Sequence, residues 1–280
     1  MIQDKKNTGI LVVAIFSIAM GYLESAVVVY LREIYYPEGF AFPLKMMNVN
    51  VAVTELFREF ATLVMLAGIG YIAGRSWLER FGIFIFAFGT WDIFYYVFLY
   101  VLLGWPESLL TWDILFLLPT TWVGPVLAPL INAFTMVIFG GLIWYYQSVD
   151  RLKQIKRREW ILLILGSLIV IWAYIEDYVG FLNQDFTVKE IFFPKDTGRL
   201  IEFATRYVPQ EFNWWIFGTG QLLIMAGIGL WVVSHRGSQM VSQRANRKSA
   251  FQICDILREI FRLFLADFRR SRRRFTRIRK

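Results

Sequence analysis

Six long apolar runs, separated by short polar gaps, organise this chain. They fall at about 10–30, 52–73, 81–103, 121–146, 161–179 and 213–234. Each is close to the ~20 helical residues that cross ~30 Å of hydrocarbon. The pattern predicts an all-α, polytopic six-helix transmembrane bundle over 1–235, followed by a separate tail at 236–280. The first run is too long and ends too late for a cleaved secretory signal, so it is expected to remain as a span.

Composition supports this reading: 57% of residues are hydrophobic and only 19% charged, where a soluble domain carries roughly 25% charge. Basic residues mark every second connection: Lys5 and Lys6, then Arg75 and Arg80, then Arg151 to Arg158, then the tail. That alternation predicts both termini on the cytoplasmic side of a cell (inner or plasma) membrane. Fourteen basic residues against three acids lie in the tail, so the net charge of +8 belongs to the tail alone. With one cysteine (Cys254) and one histidine (His235), an internal disulfide and bis-histidine haem ligation are excluded. Histidine-rich metal sites have no ligands to draw on. No cofactor or metal is expected.

A stretch is written twice. "LREIYYPEG" (31–39) follows the first run and "VKEIFFPKD" (188–196) the fifth. "GYLES" (21–25) and "AYIED" (173–177) precede them; "MLAGIGY" (65–71) and "IMAGIGL" (224–230) follow. The order suggests a duplicated two-helix hairpin, spans 1–2 and 5–6, in the manner of parallel transporter repeats. Interfacial aromatic belts ending in a helix-breaking proline would produce the same loops without shared ancestry.

Several charges stand inside the runs, most in their outer halves and Asp92 near the middle, where an Asp costs about 2.5–3.5 kcal/mol even on insertion scales. Glu24, Glu55, Arg58, Glu59, Asp92 and Glu176 are the candidates for proton or cation handling. In "TELFREF" (54–60) Glu55, Arg58 and Glu59 share one broad helix face. Two carboxylates around one guanidinium leave a surplus that invites a proton or a cation. A static bridge, or intramembrane acid–base catalysis, would use the same residues. Glu24 has no basic neighbour within a turn, so its partner must come from another helix or be a proton. Asn132 and Gln221 supply polar lining or interhelical hydrogen bonds.

"TWDI" also occurs twice, at 90–93 and 111–114. The second copy lies between Pro106 and Pro119, where a segment at 107–118 reads as a short half-helix on the outer face. Pro125 and Pro129 would then allow a kink in span four. Gly70 and Gly74 form a GxxxG, and glycines thin span six, as close helix packing requires. No P-loop, H-E-x-x-H, C-x-x-C or G-x-S-x-G stands in a supporting context.

The tail, 249–280, alternates apolar residues at helical spacing and ends almost solidly basic. It reads as a cytoplasmic amphipathic helix whose Arg269, Arg270, Arg272, Arg273 and Arg274 bind anionic phospholipid phosphates. Nucleic-acid binding lacks any recognisable fold; a homodimer or docking to other membrane subunits fits the same surface. Three functions remain open: a small proton- or cation-coupled secondary transporter, a non-catalytic accessory or scaffold subunit, and a membrane-embedded lipid-modifying enzyme.

Overall fold

The computed structural model describes residues 2–148, 154–193 and 196–236. The basic tail, and with it Arg269, Arg270, Arg272, Arg273 and Arg274, lies outside the described residues. The elements are α1 (Ile2–Tyr35), α2 (Val49–Ala73), α3 (Trp77–Leu103), β1 (Trp112–Phe116), β2 (Trp122–Pro125), α4 (Leu127–Ser148), α5 (Arg157–Leu182), α6 (Val188–Phe192), α7 (Thr197–Ala204) and α8 (Trp214–Arg236). Six helices among the described residues are long and apolar enough to cross a membrane: α1, α2, α3, α4, α5 and α8. Their outward faces carry bare Leu23, Phe57, Phe60, Leu168 and Leu222, a surface suited to lipid. This is a multi-pass membrane protein.

Close backbone approach sets the packing. α3 is the hub: α1 and α2 lie against one side of it and α4 against the other, while α5 pairs with α8. A methyl group built on Gly89 of α3 would sit 2.5 Å from the Ala133 carbonyl oxygen of α4. In the α5–α8 seam, Gly166 and Gly220 face each other's carbonyls at 2.6 and 2.7 Å by the same construction. Leu78, Ile85, Phe139, Ile143, Leu163, Ile228 and Trp231 join the two seams into one core near the basic end. Ser76 caps α3, accepting a hydrogen bond from the Glu79 amide at 3.2 Å, and the Glu79 carboxylate accepts the amide of Arg75, the residue before the cap, at 2.8 Å.

Two expectations need correction. The 107–118 segment is not a half-helix: Trp112–Phe116 is a strand paired antiparallel with Trp122–Pro125, Asp113 opposite Gly124 and Ile114 opposite Val123. A half-helix would leave its end groups to find cover, whereas a hairpin satisfies them across the ladder. The run "TWDILF" is also β-branched and aromatic, which suits a strand. Span four accordingly starts at Leu127 rather than 121. Pro125 ends β2, and Pro129 sits in the first turn of α4, so neither interrupts a helix ladder.

The duplicated stretches differ in structure. Residues 31–35 finish α1, whereas 188–192 form the separate helix α6. In the first Ala-Gly-Ile-Gly, Gly70 meets α3 and Gly68 meets nothing; in the second, Gly227 meets α5 and Gly229 meets nothing. Moreover α1 and α2 each lean on α3, whereas α5 and α8 pack directly on each other.

Candidate functional site

The end of the bundle that carries the hairpin holds a cavity of about 250 Å³. α1, α2 and α3, the 36–48 connection and β1 with the residue following it all contribute walls. Glu24, Thr62 and Asp92 stand 11 to 13 residues from the hairpin-side ends of their helices, roughly 16–20 Å at 1.5 Å per residue. The cavity therefore reaches well into the membrane-spanning part of the protein.

Five of the six singled-out charges meet here: Glu24, Glu55, Arg58, Glu59 and Asp92. Arg58 bridges α2 to α1. Its Nε donates to Glu55 Oε2 at 2.7 Å and its Nη1 to Glu24 Oε1. Thr62 lies 3.4 Å from the second oxygen of Glu24. The partner that Glu24 required from another helix is thus Arg58. Glu59 stays outside this bridge and instead accepts the Leu117 backbone N–H at 2.9 Å, tying α2 to the hairpin. Asp92 is enclosed, keeps intermediate exposure and lines the cavity. Its carboxyl has no hydrogen-bond or ion-pair partner among the described residues.

A second clasp, which the sequence reading missed, holds the cavity's upper wall. Buried Arg32 reaches Asp113 Oδ1 at 3.4 Å. Its guanidinium lies over the rings of both Trp105 (3.7 Å) and Phe40 (4.7 Å), which meet edge to face, an arrangement that suits its planar, weakly hydrated cation. Tyr96 donates its hydroxyl to the other Asp113 oxygen at 3.2 Å. Burial pushes Asp113 up to about 6, partly offset by Arg32 and by the Tyr96 hydrogen bond. Burial also raises the Tyr36 hydroxyl, partly offset by the Lys45 amide hydrogen bond at 2.7 Å and by Arg32. The missed signal was the "TWDI" echo: Asp92 and Asp113 occupy the same place in the two copies and line one cavity.

The remaining candidates lie elsewhere. Glu176 borders a more open pocket of about 720 Å³ with Asp177, Arg206, Tyr207 and Glu211. There Tyr207 donates to Asp177 at 2.5 Å; burial and that carboxylate raise the Tyr207 hydroxyl well above its ordinary value. Asn132 donates to the Tyr174 hydroxyl at 2.7 Å, joining α4 to α5. Gln221 donates to Thr135 Oγ1 at 2.5 Å, joining α8 to α4. No family model, curated protein or solved structure matches this chain.

Proposed function

We propose that this protein is a small secondary carrier that couples a monovalent cation or a proton to its substrate through the α1–α2–α3 cavity. One observation carries the reading. Asp92 is an enclosed carboxyl on a membrane-spanning helix, facing a cavity and lacking any ion pair among the described residues. A static scaffold has no use for such a group, since even insertion scales charge about 2.5–3.5 kcal/mol for it. A group that takes up and releases positive charge during a cycle must be left unneutralised. Glu59, held among the described residues by a backbone amide alone, is the second candidate for that role.

In this reading Arg58, Glu24 and Glu55 brace α1 to α2 and do not themselves load and unload. The test is reconstitution of the full-length chain into vesicles containing a pH-sensitive dye, with gradients of sodium, potassium or small ammonium ions imposed in turn. The reading expects proton movement above protein-free vesicles under at least one gradient, lost in Asp92→Asn. Absence of flux under all of them overturns it.

A further inference from the structure

Building on the carrier reading, we infer that the cavity takes a small organic monocation, an ammonium group on a compact apolar body, with Asp92 as its counter-ion. The sign of the ligand follows from which charges are already engaged. Arg58 is held by Glu24 and Glu55, and Arg32 by Asp113 and two aromatic faces. Neither guanidinium is open to an anion. Asp92 and Glu59, by contrast, have no ion pair among the described residues, so the ionisable groups left for a ligand to engage are acids and not cations.

Size and wall chemistry narrow the class. A space of about 250 Å³ is room for roughly eight waters at ~30 Å³ each, far more than one bare inorganic ion fills. No three acids among the described residues converge closely enough to hold a metal ion. The acids are instead spread around a wall that includes Val28, Leu31, Trp91, Tyr95 and Phe116. Small-molecule sites are built this way, mostly apolar with a few placed polar groups. Aromatic faces beside a carboxylate stabilise ammonium ions in particular. Trp91 and Tyr95 flank Asp92 along α3, their rings stacked at 6.5 Å.

The test uses the full-length chain purified in mild detergent and two probes of one shape: benzylamine, protonated at pH 7, and neutral benzyl alcohol. Titration calorimetry is expected to show saturable binding of benzylamine, with benzyl alcohol at least tenfold weaker. Asp92→Asn should weaken benzylamine at least tenfold and leave benzyl alcohol unchanged, while eluting as the wild type does on gel filtration. Equal affinity of the wild type for the two probes, or no saturable benzylamine binding, overturns the inference without relying on any variant folding. Benzylamine binding unaffected by Asp92→Asn overturns it as well. Proton flux driven by inorganic cations without amine binding would keep the carrier and reject this ligand class. Amine binding without flux under any gradient would do the reverse.

Discussion

The α5–α8 seam and the α1–α2 pair solve the same problem in opposite ways. Gly166 and Gly220 bring two backbones together with no room for a side chain between them. α1 and α2 scarcely touch; both lean on α3, and Arg58 spans the gap between them through Glu24 and Glu55. Without a hydrophobic drive between helices in lipid, small residues give close packing and polar residues give bridges. A glycine seam leaves no space, whereas a bridge of long side chains holds two helices at a distance and so keeps a cavity open. The cavity lies where the bundle is braced by charge.

The strongest way to break that comparison is to fill the seam. Gly166→Leu places a side chain where even a methyl would sit 2.6 Å from the Gly220 carbonyl oxygen, and is expected to cost more than about 4 kcal/mol. Gel filtration should show loss of the monodisperse protein. Gly229→Leu, where nothing lies within 4 Å, should elute like the wild type; equal damage from both would mean the seam is not a close contact.

The bridge should come next. Arg58→Met leaves two carboxylates without their shared cation; the bridge is partly buried, so the cost is expected to fall somewhat below the ~3–5 kcal/mol of a fully buried pair. Adding Glu24→Gln and Glu55→Gln should recover most of that loss, measured by thermal unfolding in detergent. A triple variant no more stable than Arg58→Met would show that the charges do not act as one unit.

The same contrast explains how much was legible in the sequence. Spans are a property of length and hydropathy, so all six were readable, and five of the six charged candidates line one cavity. Helix glycines announced close packing, though not which neighbour each would meet, since Gly70 and Gly227 sit in like motifs and face different helices. What failed was long-range pairing. Asp113 looked like part of a helix because Pro106 and Glu107 resemble a helix start; the strand across the ladder, Trp122–Pro125, decides otherwise. Arg32 was not singled out at all, because its partner lies 81 positions away.

A smaller effect tests the second clasp. Asp113 is pushed from its ordinary 3.8 up to about 6, so between those values the folded chain holds more protons than the unfolded one. Its contribution to stability is therefore greatest in acid and falls as pH climbs through that window. Asp113→Asn should flatten the melting temperature between pH 4 and 6 relative to the wild type. An unchanged slope would place the titration elsewhere.

The smallest expected change in stability is the most informative about function. Asp92 contributes no ion pair or hydrogen bond among the described residues, so Asp92→Asn replaces an enclosed carboxyl without orphaning a partner. Its melting temperature should match or slightly exceed that of the wild type, in contrast to Arg58→Met in the same cavity. If Asp92→Asn instead unfolds the protein, the carboxyl is structural and Asp92 joins Arg58 as a brace. If stability holds while flux is lost, the cavity contains two kinds of charge, one set holding the walls apart and one left free to act.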